Sequence, residues 1–84
     1  MRSVVNKEHR LIFSQRLHEL RVANGFTFKK LSEFSGIPAS TIATWERGTA
    51  YPSDDFAVTR LAFMFNVPSS YLLGEENEEF TFLD

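Results

Sequence analysis

The segment of residues 27–48, TFKKLSEFSGIPASTIATWERG, constrains the fold of this chain more than any other part of it. Its small and apolar residues have the spacing of two short helices that pack across each other. Leu31 is the core anchor of the first helix, and Ser32 is small at the point where a second helix must cross closely. Gly36 can adopt the left-handed conformation that ends a helix in a short turn. The segment therefore predicts two helices joined by a tight turn.

The residues after this glycine predict how the second helix is held. Ile37 and Ile42 are placed to bury the turn and the second helix in the core. Pro38 suits the first turn of a helix, because its missing N–H is not needed there. Two helices that cross at about 90–120° through a turn of three to four residues form a helix-turn-helix. The second helix of the pair would then be presented outward.

Helical periodicity on both sides of this unit predicts three further helices. The five predicted helices cover residues 7–23, 27–35, 38–48, 53–66 and 69–73, and Ser53 or Asp54 is the N-cap of the fourth. The predicted fold is therefore all-α. It is a compact five-helix domain at residues 7–74, preceded by an arm at residues 1–6 and followed by an acidic tail at residues 75–84.

The tail has two interpretations. Residues 75–79 are mostly acidic, and Phe80 and Phe82 would lie on one face of a short strand. A strand at the end of an all-helical domain has no partner within the chain. The tail is either disordered, or it is a dimerisation strand that pairs with the same strand of a second subunit.

Composition limits the compartment and the class of protein. The chain has no cysteine, which excludes disulfides and thiolate metal sites and fits a reducing compartment. No apolar run is long enough to cross a membrane, and the N-terminus lacks the apolar core of a secretory signal. We therefore expect a cytoplasmic protein with no membrane partner.

The net charge of −2 conceals an asymmetry along the chain. Residues 1–52 contain eight Lys or Arg against four Glu, a balance of +4, whereas residues 53–84 contain one Arg against seven Asp or Glu, a balance of −6. A basic half that contains the helix-turn-helix is compatible with binding a polyanion through one face.

The sequence offers little that could support catalysis. His9 and His18 lie nine residues apart on one predicted helix, and no second cluster of metal ligands accompanies them. No glycine-rich phosphate loop is present, and the Ser and Thr residues lack an evident His–acid partnership. The chain is predicted not to be an enzyme and to need no metal, cofactor or small-molecule ligand.

The order of these landmarks is similar to that of a known family. The landmarks are, in order, RLHELRVANGFTFKKLSEFSGIPASTIATWERG, a proline, a helix and NVPSSYLLGEE. This order resembles the Cro and phage-repressor (XRE) type of helix-turn-helix domain. The resemblance implies a five-helix, lambda-repressor-like DNA-binding fold, usually dimeric, found in bacterial and phage transcription regulators.

The resemblance also implies roles for individual residues. The base-contacting positions of the third helix fall on Ala39, Ser40 and Thr44. The positions close to the DNA backbone are Thr41, Arg47 and Phe28. Apart from the resemblance, Lys29 is a candidate for a phosphate contact, because it is a basic residue that faces outward on the second predicted helix. Arg21 and Glu46 would form an internal salt bridge rather than touch DNA.

Two departures from the family pattern affect this assignment. Phe28 has no side-chain donor with which to clamp a phosphate. The presented face of the third helix has no Arg, Lys, Asn or Gln, the side chains that pair best with guanine and adenine. Sequence preference would then lean on DNA shape and on two subunits that contact two half-sites. Further candidates for phosphate contacts are Lys30 and either Arg10 or Arg2.

Several large apolar residues lie off the predicted buried stripes, and exposed apolar clusters often mark interfaces. A dimer seam is expected at Phe63, Met64 and Tyr71, with Phe80 and Phe82 in the tail. Phe28 and Phe34 flank the DNA-facing unit instead. They motivate an alternative function, a protein-interaction module that regulates another transcription factor.

The sequence therefore predicts a sequence-specific, dimeric DNA-binding transcription regulator of bacterial or phage origin, acting as a repressor. Its third helix would enter the major groove of double-stranded DNA. The alternative is an antirepressor-like protein-binding domain with little DNA binding of its own.

Overall fold

Five helices follow one another in the computed structural model, which describes residues 7–75. They are α1 (Lys7–Ala23), α2 (Phe28–Ser35), α3 (Ala39–Glu46), α4 (Asp55–Phe65) and α5 (Ser69–Leu73). The predicted all-α, five-helix fold is thereby confirmed. The arm at residues 1–6 and the C-terminal strand with Phe80 and Phe82 lie outside the described residues, so they stay predictions.

The helix boundaries follow from capping chemistry. Thr27 caps α2, because its side-chain oxygen accepts a hydrogen bond from the Lys30 N–H at 3.0 Å. Asp54 rather than Ser53 caps α4, and its carboxylate accepts from the Ala57 N–H at 2.9 Å. The α4 helix ends at Asn66, whose left-handed φ of 59° stops the helical hydrogen bonding.

Side chains from all five helices form one apolar core. Phe13 lies near its centre, fully buried, with its ring edge-on to Trp45 at 5.8 Å and to Tyr51 at 5.4 Å between ring centroids. Burying such side chains is the main favourable contribution to folding. The core residues are Phe13, Leu17, Leu31, Ile37, Ile42, Trp45, Val58, Leu61, Ala62, Phe65, Leu72 and Leu73.

The small residue enclosed at the end of α2 is Ser35, whereas Ser32 is only half-buried. Ser35 fits there because its polar atoms are satisfied. Its hydroxyl oxygen accepts from the Ile37 N–H at 3.1 Å, and its carbonyl accepts from Arg60 Nη1 at 2.7 Å. The structure thus encloses Ser35, rather than Ser32, at this end of α2.

Residues 7–75 contain neither a membrane-spanning helix nor a metal-binding cluster. None of the helices there has the length and hydrophobicity needed to cross a membrane. In the same part of the chain, no three His, Asp or Glu side chains come together as a metal-binding cluster.

Candidate nucleic-acid interface

The two helices of the helix-turn-helix are joined by a three-residue turn. Gly36 adopts a left-handed φ of 76°, and its N–H bonds to the Ser32 carbonyl to end α2. Ile37 then inserts into the core. The α3 helix starts at Ala39. The carbonyl of the preceding residue, Pro38, accepts a hydrogen bond from the Ile42 N–H at 3.1 Å. The turn is thereby fixed by one buried side chain and by backbone hydrogen bonds.

One face of α3 is buried and the opposite face is open. Ile42 and Trp45 are buried in the core. A helix places residues i, i+3, i+4 and i+7 on one side, and on α3 the side opposite the core carries Ser40, Ala43, Thr44 and Arg47. Ser40 and Arg47 are exposed, and the other two are half-buried. This face is the surface that the helix-turn-helix presents outward.

Helix α1 holds the C-terminal end of α3 in place. The last carbonyls of a helix lack partners within the helix. Two α1 side chains supply donors for this region: Arg10 Nε bonds to the Gly48 carbonyl at 2.9 Å, and the Ser14 hydroxyl bonds to the Glu46 carbonyl at 2.5 Å. The backbone on both sides of Arg47 is therefore anchored to α1.

The Glu46 carboxylate is a second point of attachment between these helices. It accepts hydrogen bonds from Arg21 Nε at 2.7 Å and from Arg21 Nη2 at 3.1 Å. His18 Nδ1 lies 2.8 Å from the same carboxylate. Arg21 and Glu46 are 12% and 6% exposed, so their charges are shielded from solvent and face each other. The paired residues belong to the scaffold.

Arg21 also organises the start of α2. Its Nη1 donates to the Phe26 carbonyl at 2.8 Å, and its guanidinium lies over the ring of Phe28, 4.1 Å from the centroid. Phe28 is half-buried and packs against the core. The aromatic ring at the first position of α2 is thus a support for Arg21.

The outward face of α3 contains a short hydrogen-bond chain. The Thr44 hydroxyl donates to the Ser40 carbonyl at 2.8 Å, and Arg47 Nη2 donates to the Thr44 oxygen at 3.1 Å. Thr49 donates to the Thr44 carbonyl at 3.3 Å. These contacts hold the Arg47 guanidinium beside Thr44 on the exposed face.

The comparisons with known proteins agree with this geometry. The profile of the helix-turn-helix family HTH_3 matches residues 17–72, more than half of the chain. The chain belongs to the helix-turn-helix family. The predicted resemblance to Cro and phage-repressor domains is confirmed.

A solved structure shares the fold of this helix-turn-helix protein. The solution structure of the SOS-response transcriptional repressor LexA from Eubacterium rectale aligns with a TM-score of 0.74 and 28% sequence identity. The alignment covers 83% of this chain and 73% of the LexA chain. A search of curated proteins finds no match.

The helix-turn-helix places the sequence-predicted contact residues in different settings. Ser40 and Thr44 share the outward face of α3, whereas Ala39 and Thr41 lie at its two edges and are half-buried. Lys29 is exposed on α2. Sequence reasoning missed Ala43, which lies between the outward-facing residues at the spacing of one helical turn.

Arg10 has a role that the sequence did not predict. It was a candidate for a phosphate contact, but its Nε is directed to the Gly48 carbonyl and the bond is partly buried. His18 and Ser14 were missed as supports of α3. Their spacing from Arg21 along α1 was a usable signal, because residues three, four or seven apart share a helix face.

The apolar residues predicted to form interfaces also differ from one another. Phe63 is 85% exposed, whereas Met64 is half-buried against the core. Tyr71 is half-buried, with the Arg16 guanidinium 4.2 Å above its ring centroid. Phe34 is 64% exposed, although its ring contacts Phe26 edge-on at 5.8 Å.

Sequence reasoning also missed one exposed aromatic residue. Phe56 on α4 is 67% exposed, and the Arg60 guanidinium lies 4.4 Å from its ring centroid. Three of these phenylalanines are therefore exposed at the surface, namely Phe34, Phe56 and Phe63, whereas Phe28 packs against the core.

Proposed function

We propose that this helix-turn-helix protein is a non-enzymatic, DNA-binding transcription regulator that acts as a homodimer. In this proposal α3 enters the major groove and the protein works as a repressor. Family membership supports DNA binding, and the likeness to a structure titled as a transcriptional repressor supports the regulatory role.

One observation carries the proposal: α3 has an outward polar face on a rigid support. Its core face is buried through Ile42 and Trp45, and its C-terminal end is attached to α1 at the Glu46 and Gly48 carbonyls. A major groove about 12 Å wide admits one α-helix. A helix that is exposed on one side and fixed on the other can enter the groove without further rearrangement.

The chemistry of this face suits moderate sequence discrimination. Ser and Thr hydroxyls bond to several bases, and alanine or a threonine methyl can contact the methyl group of thymine. We assign these roles to Ala39, Ser40 and the Thr44 methyl, with Thr41 and Lys29 contacting phosphates. Phe28 occupies the family's clamp position without a donor, so one phosphate contact of the family is absent from this assignment.

In a homodimer, each subunit would contact one half-site of the DNA. The fixed distance between the two α3 helices would then add specificity for the spacing of the half-sites. Two half-sites on one face of the duplex lie about 34 Å apart. We propose a dimer seam that includes Phe63, which is 85% exposed, together with Met64, Tyr71, Phe80 and Phe82.

A second candidate function is binding to another regulatory protein. It is favoured by Phe34, a large apolar side chain that is mostly exposed on α2 next to Lys30, whose Nζ lies 6.0 Å from the ring centroid. In this case the protein would have little DNA affinity, and Phe34→Ser would abolish the protein contact.

The test is fluorescence anisotropy of a labelled, mixed-sequence duplex at low and at physiological salt. The wild-type protein should bind, with an affinity that falls steeply as salt rises, because phosphate contacts release counterions. Ser40→Glu should abolish binding, since it places a negative charge in the middle of the presented face. Thr59→Glu makes the same charge change at an exposed position of α4 and is the matched control.

The outcomes separate the two functions. Binding that is lost in Ser40→Glu and kept in Thr59→Glu supports insertion of α3. Equal loss in both variants would show a nonspecific charge effect and contradict that geometry. No binding by the wild-type protein at low salt would reject the DNA function in favour of the protein-partner alternative.

A further inference from the structure

Within α3 itself, Ala39–Glu46, no residue carries a side chain of the kind that best distinguishes bases. Arginine pairs bidentately with guanine, and asparagine or glutamine with adenine. Residues 39–46 contain none of these. Arg47, directly after the helix, is the nearest side chain with the required geometry, so its placement decides how this surface can recognise sequence.

Arg47 is directed back along α3. It follows Ser40 by seven residues and Thr44 by three, so all three lie on one helix face. Helical side chains lean toward the N-terminus, and the observed contact from Arg47 Nη2 to Thr44 Oγ1 at 3.1 Å agrees with that lean. The guanidinium therefore lies on the same face as the residues predicted to contact bases.

The Thr44 hydroxyl already makes two hydrogen bonds, one to the Ser40 carbonyl and one from Arg47. Its hydroxyl has one hydrogen, which is donated to the Ser40 carbonyl at 2.8 Å. One lone pair accepts the Arg47 N–H. In this arrangement the Thr44 hydroxyl has no hydrogen to offer a base, and its second lone pair and its methyl group remain for direct contact.

The backbone of Arg47 is fixed as well. The carbonyls of its two neighbours, Glu46 and Gly48, accept hydrogen bonds from Ser14 and Arg10 of α1. A side chain whose backbone and terminal group are both held loses less conformational entropy when it binds a ligand. The structure thus prepares Arg47 for a directed contact.

We propose that Arg47 is the specificity-determining residue, reading guanine in the major groove, and that Thr44 is its positioning residue. This inference rests on the proposed DNA-binding function and refines it. Arg47 Nη2 carries two hydrogens, so it can donate one to Thr44 and direct the other, side by side with an Nη1 hydrogen, to the O6 and N7 acceptors of guanine. A phosphate contact alone would require no such orientation.

The test begins with selection by the wild-type protein, residues 1–84, from a pool of duplexes with a randomised core. The selected sites are expected to share a guanine at one position of each half-site. The readout is the ratio of affinities for a selected site and for the same site with that G·C pair replaced by A·T, together with the salt dependence of each affinity.

Arg47→Lys keeps the charge and removes the planar fork. It is expected to lower the ratio by about tenfold and to leave the salt dependence unchanged. Thr44→Val keeps the shape and the methyl group but removes the hydroxyl, so it should lower the ratio in the same direction by a smaller factor. Thr44→Ser restores the hydroxyl and should recover most of that loss.

A second readout needs no DNA. NMR relaxation of the Arg47 Nε–Hε group should show greater mobility in Thr44→Val than in the wild type, and Thr44→Ser should restore the order. Unchanged mobility in Thr44→Val would overturn the positioning role.

The other outcomes distinguish three claims: base reading by Arg47, the positioning role of Thr44, and the proposed DNA-binding function. An unchanged ratio in Arg47→Lys would overturn base reading and leave Arg47 as a phosphate contact. A wild-type protein that binds no duplex at low salt would reject the proposed function, and this inference with it. Loss of the ratio in Arg47→Lys without loss in Thr44→Val would overturn only the role of Thr44.

Discussion

Arg21 of α1 and Glu46, the last residue of α3, form a two-point ion pair across the domain. Arg21 Nε and Nη2 lie 2.7 and 3.1 Å from the two carboxylate oxygens. The third terminal atom of the same guanidinium, Nη1, bonds to the Phe26 carbonyl. One side chain therefore joins the helix that supports the domain, the end of the presented helix and the loop before α2.

Breaking this pair should destabilise the whole domain. Glu46→Gln keeps the size of the side chain but leaves the Arg21 charge shielded from water without a counter-charge. We expect a loss of about 3 kcal/mol in the free energy of unfolding, measured by urea denaturation. Glu19→Gln, at an exposed position that only bonds to Gln15, should change it by less than about 0.5 kcal/mol.

Removing both charges should cost less than removing one. The double variant Arg21→Met/Glu46→Leu leaves no unpaired charge, and apolar replacements of buried ion pairs are often nearly neutral. Its free energy of unfolding should therefore exceed that of Glu46→Gln. A double variant as unstable as the single one would show that the hydrogen bonds to Phe26 and the stacking on Phe28 matter more than the charges.

Gly74 and Gly25 provide a matched test of the packing of α5 on α1. Both have a left-handed φ, 73° and 74°, at which alanine costs about 1 kcal/mol. A methyl group at Gly74 would lie 2.8 Å from Ile12 Cγ2, whereas one at Gly25 would contact nothing within 4 Å. Gly74→Ala should therefore cost about 1–3 kcal/mol more than Gly25→Ala in urea denaturation. Equal costs would mean that α1 and α5 adjust freely.

Phe63 and Phe56 separate the proposed dimer seam from general surface hydrophobicity. Both are exposed on α4, but only Phe63 belongs to the proposed seam. Phe63→Ser should shift the protein toward monomer in light scattering, and Phe56→Ser should leave the mass unchanged. A shift in Phe56→Ser alone would move the seam to the other end of α4.

The tail can be tested by the same measurement. Deleting residues 79–84 removes Phe80 and Phe82, and the proposed dimerisation strand with them. We expect a shift toward monomer. An unchanged mass would favour the interpretation of residues 75–84 as a disordered tail.

Lys29 should contribute a contact that does not depend on sequence. Lys29→Gln is expected to weaken binding to all duplexes about equally and to reduce the salt slope by about one unit, measured by anisotropy over a salt series. Glu19→Gln changes the net charge by one unit at an exposed position on α1 and should leave the slope unchanged. A sequence-dependent effect of Lys29→Gln would argue against a phosphate contact.

The helix order and most helix ends could be predicted from local patterns. Thr27 and Asp54 cap helices because a short polar side chain can bond to N–H groups two or three residues later, which is a property of neighbouring residues. Gly36 and Asn66 end helices because they tolerate a left-handed φ. Such features depend on the chain within one or two helical turns.

The supports of α3 could be predicted only in part. The pair between Arg21 and Glu46 came from the family resemblance, whereas the contacts of Arg10 and Ser14 join residues more than thirty positions apart. A basic residue on a predicted helix face has the same pattern whether it meets a phosphate or a backbone carbonyl. For this reason Arg10 was assigned to DNA although it bonds to Gly48.

The sequence by itself determined the five helices, the turn at Gly36 and the family. Caps and helical periodicity depend only on neighbouring residues, and the family is indicated by the order of the landmarks along the chain. Only the tertiary structure decided which polar side chains support α3 and which remain available on its surface. The physical reason is that a hydrogen bond is assigned by the distance between two groups, and helix packing sets that distance for residues remote in the chain. Thr44 and Arg47 acquire their joint orientation from α3 and from the α1 contacts that anchor its end.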